Sequence, residues 1–220
     1  MHLFQVNRRH FLQFATGLSV VSALPDAWAT LEAGKQYAQI KQPQPQPVNG
    51  KTEVLEFFSY TCPHCYHLEG TIEPWARRLP KDVEFRRVPV TFNKAATITA
   101  KTFYAAEAMG VREKIHLSLF AALHDQGLPL TQEQPLLDWI AKQGIDRKKF
   151  SDTMNSFTVQ SQLAQATQLM KGYDIDAVPS VVIGGRYLTS VTHTGSEATL
   201  PGVMNELIQM AKTGAVKSRS

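Results

Sequence analysis

"TEVLEFFSYTCPHCYHLE", Thr52 to Glu69, holds both cysteines of the 220-residue chain and decides how the rest is read. Its first half, Thr52 to Tyr60, is rich in strand-forming residues and nearly continuous in apolar character, the pattern of a strand buried on both faces. After Cys65 the pattern turns helical, with Leu68, Ile72 and Trp75 as inward positions. "DVEFRRVPV" (Asp82 to Val90) reads as the next strand. A strand, a helix and a strand therefore surround Cys62 and Cys65, the context in which a C-x-x-C motif carries information.

Three roles compete for such a pair. As a staple it closes only four residues, which stabilises by about 2 kcal/mol, against about 4.7 kcal/mol for a hundred-residue loop. That is a weak device for a domain of this size. As half of a metal site it has His64 and His67 beside it, but no second C-x-x-C or H-x-x-x-H supplies the other half. Haem attachment requires histidine where Tyr66 stands. As a redox pair it sits well. The first cysteine opens a helix, where unpaired backbone N–H groups and the helix dipole favour negative charge. That lowers the Cys62 pKa and makes it the exposed attacking thiolate. Pro63 is tolerated at the start of a helix, and His64 adds a donor or a positive charge near the sulfur. Cys65, one turn in, takes the place of a buried resolving thiol.

Working outward, Tyr37 to Ile40 reads as a short edge strand, followed by the proline-alternating spacer "KQPQPQPVNG" (Lys41 to Gly50), which forbids helix. From about Ala96 to Lys171 apolar residues repeat at helical spacing. The stripes are Ile115, Leu119, Ala122 and Leu123; Leu136, Leu137, Ile140 and Ala141; and Phe150, Met154 and Phe157. Gly110, Gly127-Leu128-Pro129 and Gly144 divide the block into several helices. "VPSVVI" and "RYLTS" then flank Gly184-Gly185, a two-residue hairpin signal. A last amphipathic helix carries Leu200, Val203, Met204, Leu207 and Ile208 on one face, with Lys212 and Gly214 as stop signals.

Hydrophobic content of 43% is ample for a core and excludes disorder, and a net charge of +4 is modest. The pairs Arg77-Arg78, Arg86-Arg87 and Lys148-Lys149 read as solvated surface, so nucleic acid is not a leading partner. The first 29 residues read as a cleavable export signal: charge, a short apolar run, then Ala27-Trp28-Ala29 at cleavage spacing. Arg8-Arg9-His10-Phe11-Leu12 also resembles a twin-arginine signal, with Asn7 and Gln13 as departures, so the Sec and twin-arginine routes both stay open. Export changes how the cysteines are read, because disulfides persist outside the cytosol. No later apolar run reaches membrane-spanning length, which points to a soluble mature chain.

"VLEFFSYTCPHCYHLE" closely resembles the active-site strand and helix of the DsbA family of periplasmic disulfide oxidoreductases. The specific part is C-P-H-C, where thioredoxins typically carry C-G-P-C. "YDIDAVPSVVIGGRYLTS" resembles the family's cis-proline loop and hairpin, and the central block resembles its helical insertion. The resemblance implies an α/β thioredoxin fold with an inserted all-helical subdomain. Residues 30–95 and 172–214 would form the thioredoxin-like part, 96–171 the insertion and 215–220 a tail. It implies that Cys62 forms the mixed disulfide with substrate and that Cys65 is the second cysteine. Val178-Pro179 would be the pair whose cis bond faces the disulfide and supports substrate. Glu56, inside the apolar strand, would have its pKa raised by burial and relay a proton near Cys65. The alternative for Glu56 is a solvated strand-edge carboxylate.

The expected activity is donation of the Cys62–Cys65 disulfide to reduced exported proteins in the periplasm. Re-oxidation would come from a DsbB-like membrane oxidase. No bound cofactor is expected, and the mature chain is expected to be a monomer. The rivals are a reductase or isomerase of the same fold, and a chaperone or metal carrier. His116 and His124 in the helical block, and His193 in the loop after the hairpin, read as surface or satisfied residues.

Overall fold

The computed structural model describes residues 31–44 and 50–214, so the expected export signal, much of the spacer and the tail lie outside the described residues. The elements run β1 (Ala38–Gln39), β2 (Thr52–Phe58), α1 (Pro63–Ala76), β3 (Val83–Pro89), α2 (Lys94–Ala108), α3 (Arg112–His124), α4 (Glu133–Lys142), α5 (Arg147–Met154), α6 (Phe157–Gly172), β4 (Ser180–Ile183), β5 (Tyr187–Thr189), α7 (Val191–Thr194) and α8 (Leu200–Thr213). This is a thioredoxin fold carrying an all-helical insertion between β3 and β4.

The sheet order is β1-β5-β4-β2-β3. β2 pairs parallel with β3, the arrangement that needs a helical crossover, and α1 supplies it. β2 pairs antiparallel with β4 on its other side, so it has no free edge. That position explains its nearly unbroken apolar sequence, because both faces are covered. On one face Val54, Val181 and Ile183 pack against Leu68, Ile72 and Trp75 of α1 and against Leu200, Val203, Met204 and Leu207 of α8. Leu55, Phe57, Val88 and Val182 belong instead to the core shared with Phe103, Leu119, Phe120, Leu136 and Phe150 of the helical block. Burial of such side chains stabilises by about 1.5–3 kcal/mol each, so the sheet is the wall that two cores share.

Local signals set the boundaries. Asn93 caps α2, its side chain accepting from Ala96 N–H at 2.9 Å. Asp146 caps α5 and Ser156 caps α6 in the same way. Gly110, Gly127 and Gly144 all stand at positive φ where helices end.

Several expectations need correction. Phe157 does not continue the Phe150–Met154 stripe: α5 ends at Met154, and Phe157 opens α6 at 86% exposure. Ala141 is likewise exposed, while Leu136, Leu137 and Ile140 are buried. The β4–β5 connection is longer than two residues. Gly184 and Gly185 both have positive φ and Arg186 N–H closes onto Ile183 O at 3.1 Å, but strand pairing resumes at Ile183 and Tyr187. Arg186 is the extra residue, and its carbonyl accepts Ile40 N–H at 2.8 Å, which docks the chain beyond β1. Gly184 is required twice over, since a Cβ there would also stand 2.6 Å from the Ala211 Cβ. His193 is in the short helix α7, its Nδ1 2.8 Å from the Ser190 hydroxyl, and not in a loop.

Candidate active site

Cys62 is the N-cap residue of α1, with extended backbone (φ −97°, ψ 116°). No side chain caps this end, and Pro63 fills the first helical position, where its missing N–H costs nothing. Cys62 N–H donates to Ser59 O at 3.1 Å, which closes the turn leaving β2, and Cys62 O accepts from Cys65 and Tyr66 N–H at 3.1 and 3.2 Å. The sulfur is thus held at the mouth of a helix, and both cysteines are free thiols.

Their environments push the two thiols apart. Cys62 is half-buried, and its pKa is brought down to about 6. The largest cause is the Cys65 S–H, which donates to the Cys62 sulfur; backbone N–H groups of Cys65 and His64 and the charge of His64 add to it, against the cost of burial. Cys65 is 0% exposed. Its own pKa is pushed far up, first because its proton is engaged by Cys62 and next because burial disfavours a thiolate. At neutral pH the pair holds one thiolate, on the outer sulfur.

The Val178–Pro179 peptide bond is cis and precedes β4. The Val178 carbonyl stands 3.6 Å from the Cys62 sulfur, within reach of a thiol S–H. Residues 116 positions apart in the chain are joined there by the sheet, since β4 lies against β2.

Glu56 lies on the face of β2 toward α1 and is 0% exposed, not a solvated edge carboxylate. Its register partner on β3 is Arg87, and its partner on β4 is Val181. Arg87 is buried, contrary to the reading of Arg86-Arg87 as solvated surface; only Arg86 reaches outward, pairing with Glu53 at 2.9 Å. Arg87 Nη2 donates to Glu69 and Glu73 of α1, both at 2.9 Å. Its Nε stands 3.0 Å from Glu56 Oε2, but neither Glu56 oxygen nor the Nε has an aligned hydrogen-bond partner. The Glu56–Arg87 contact is a close ion pair of poor alignment, in which charge attraction outweighs hydrogen bonding. Burial pushes the Glu56 pKa up to about 8 against the pull of Arg87, with Glu69 and Glu73 adding repulsion. Burial works against the Arg87 charge, but the three carboxylates outweigh it and keep the guanidinium charged.

The cluster continues into the helical block. His116 of α3 is buried, with Nε2 3.1 Å from Glu69 Oε1 and Nδ1 2.6 Å from the Tyr60 hydroxyl. His124, one helix end later, reaches the Tyr60 carbonyl at 2.8 Å and stacks on Tyr66. Tyr66 donates to Asp125 at 2.7 Å. Both histidines are satisfied, and both tie α3 to the segment that leads into Cys62. Sequence reasoning missed Arg87, Glu69 and His116 as parts of the site. Arg87 carried a signal: it is the residue that parallel pairing sets beside Glu56. His116 carried none, because only the packing of α3 against α1 brings it near.

Residues 53–200 match the family described as DSBA-like thioredoxin domain. The chain is 41% identical over 202 residues to the thiol:disulfide interchange protein DsbA of Burkholderia cepacia, covering 91% of this chain and 92% of that protein. It is 35% identical over 199 residues to the protein of the same name from Pseudomonas syringae pv. tomato, covering 90% and 91%. Among solved structures, Pseudomonas aeruginosa DsbA superposes with a TM-score of 0.80 at 35% identity, covering 85% of this chain and 97% of that one. The Neisseria meningitidis oxidoreductase NmDsbA1 does so with a TM-score of 0.75 at 27% identity, covering 86% and 98%.

Proposed function

Because this chain belongs to the DsbA family, and is thus a thiol:disulfide oxidoreductase that acts as a disulfide donor, we propose how its own residues divide the reaction. A substrate thiolate attacks the Cys62 sulfur of the Cys62–Cys65 disulfide. The S–S bond breaks, a Cys62–substrate disulfide forms, and Cys65 leaves as a thiolate. Cys65 is the group whose burial most disfavours that charge, so it must be protonated, and the Glu56 carboxyl supplies the proton. A second substrate thiolate then attacks the substrate sulfur of the mixed disulfide. The substrate is released with its new disulfide and Cys62 leaves as a thiolate. Two electrons have moved from substrate to enzyme.

The observation that carries this reading is the asymmetry of the pair: a half-exposed Cys62 at the mouth of α1 with its pKa lowered to about 6, and a fully buried Cys65 pushed the other way. Only Cys62 is reachable by a protein substrate, and it is the better leaving group of the two. Pro63 and His64 shape and charge that helix mouth. Val178 and Pro179 present backbone beside the sulfur, where an extended substrate segment would lie. The substrates are reduced exported proteins in the periplasm and the electrons pass on to a DsbB-type membrane oxidase. The export signal and the family support that placement, and no helix among the described residues is long and apolar enough to cross a membrane.

Trapping tests the assignment. Charged with oxidised glutathione, Cys65→Ser should carry a Cys62–glutathione disulfide, exchange it with the thiolate of a single-cysteine substrate protein as glutathione leaves, and hold a stable mixed disulfide; Cys62→Ser should not. The reverse pattern would reassign the nucleophile. Equal retention of activity by a double-serine variant would replace the redox reading with that of a chaperone.

A further inference from the structure

Disulfide donation gives Glu56 a task and none to its neighbours Glu69, Glu73, Arg87 and His116. Three carboxylates, Glu56, Glu69 and Glu73, surround one guanidinium, Arg87. Glu73 is partly exposed and also pairs with Arg77, but Glu56 and Glu69 are both buried against the one guanidinium of Arg87, which favours a proton on one of them, and the hydrogen bonds decide which. We propose that His116 is a positioning residue that keeps this proton on Glu56, by holding Glu69 as the carboxylate.

The donors divide unequally. Glu73 receives Arg87 on one oxygen and Arg77 Nε, at 3.0 Å, on the other. Glu69 receives Arg87 on Oε2 and His116 on Oε1. Glu56 has only Arg87 Nε, 3.0 Å from Oε2 and poorly aligned, and no donor on Oε1. Hydrogen bonds to a charged acceptor favour the charged form, so two carboxylates are held ionised and the third takes the proton.

The role of His116 depends on its tautomer, which Tyr60 sets. The Tyr60 hydroxyl is buried, and its ionised form is strongly disfavoured by burial and by Glu69. It therefore keeps its proton and donates to Nδ1, which leaves Nε2 carrying the ring N–H that points to Glu69. The groups facing the imidazole are Glu69 from α1, Tyr60 from the segment after β2, Arg87 from β3 and Arg112 from its own helix, with Glu107 of α2 3.7 Å from Arg112. The aromatic rings of Phe58, Phe103 and Phe120 close the remaining sides. Burial keeps the ring neutral against the pull of Glu69. Glu56 is faced by Arg87, Glu69, Glu73 and the Cys65 thiol, and by apolar Val181 across the sheet. His116 thus reaches Glu56 only through Glu69 and Arg87. The helical insertion thereby sets the charge state of a carboxyl beside the active-site thiol.

This inference deepens the relay reading, and its test is separable from that reading. The full chain, labelled with carbon-13 at glutamate and nitrogen-15 at histidine, is titrated by NMR, with each carboxyl assigned through its Gln replacement. In the wild type, Glu56 is expected to be protonated and Glu69 ionised at neutral pH, with His116 as the Nε2–H tautomer. A proton on Glu69, or the Nδ1–H tautomer, overturns the proposal without any variant. His116→Phe fills the ring volume without a donor. It is expected to weaken the hold of Glu56 on its proton at least tenfold and pass part of it to Glu69. His116→Gln, which donates and accepts on the same two sides, is expected to restore the wild-type order. A folded His116→Phe with Glu56 unmoved overturns the proposal. An unchanged pH profile of Cys65 reactivity in Glu56→Gln would remove the relay and leave the proton's placement standing.

Discussion

Replacing Cys65 by alanine is expected to raise the Cys62 pKa by about one unit, although Cys65 carries no charge. The Cys65 S–H is the largest of the causes that lower Cys62, ahead of the backbone N–H groups and the charge of His64. A hydrogen bond to a charged acceptor contributes about 1.5–3 kcal/mol, which is one to two pKa units at about 1.4 kcal/mol each. Cys62 is half-exposed, so water takes up part of the freed acceptor, and the lower end applies. The midpoint should move from about 6 in the wild type to about 7 in Cys65→Ala. Cys65→Ser keeps a donor in place and should stay within about half a unit of the wild type. Ultraviolet absorbance of the thiolate, followed as a function of pH, reads the midpoint directly, because the buried Cys65 does not titrate in that range. A Cys65→Ala midpoint still near 6, or a serine variant that rises as far as alanine, would refute the assignment of the dominant cause.

Three further outcomes follow from the same charges. The Cys62 pKa is depressed from about 8.5 unfolded to about 6 folded, so it stabilises the reduced form above about pH 8.5 and that contribution is lost as pH falls through 6. The oxidised form has no thiolate, so urea unfolding should show the reduced-minus-oxidised stability gap widening between about pH 6 and 8.5, and a gap that stays flat would contradict the thiolate. For Glu56 the sign is opposite: its pKa is raised from about 4.3 to about 8, so stability present below the lower value is lost as pH rises through the upper one. Glu56→Gln removes that loss and should be more stable than wild type at about pH 8, by about 1–3 kcal/mol, with little difference near pH 5; a less stable variant at both would show that the carboxylate is well compensated. Arg87→Met leaves the carboxylates of Glu69 and Glu73 without their shared cation and should cost about 3–5 kcal/mol at neutral pH by denaturant midpoint, shrinking toward low pH as carboxylates take up protons. A cost independent of pH would mean that packing against Phe85, rather than charge, is what Arg87 supplies.

What was legible in the sequence was what depends on local pattern. β2, α1, β3 and the hairpin strands each carry their own periodicity, and the C-x-x-C spacing sits at a strand-to-helix junction that needs no tertiary information to find. The apolar face of α8 is visible for the same reason. Long-range packing was not legible. Glu56 stands inside an apolar run that already points to burial, but which charges face it depends on the pairing of β2 with β3. Arg87 looks like half of a surface pair until the parallel register sets it beside Glu56. His116 reads as one more polar residue in a helix until α3 packs on α1 and aims it at Glu69. Phe157 misled for the complementary reason: helical spacing continues across the break between α5 and α6, but the helix does not.

The low pKa of Cys62 is what makes the Cys62–Cys65 disulfide a donor. The equilibrium of the pair against glutathione redox buffers measures this. Thiolate stabilisation favours the reduced form, so the potential should lie well above that of thioredoxin, about −270 mV. A value at or below the thioredoxin potential would contradict the account, because the enzyme would then take disulfides rather than give them.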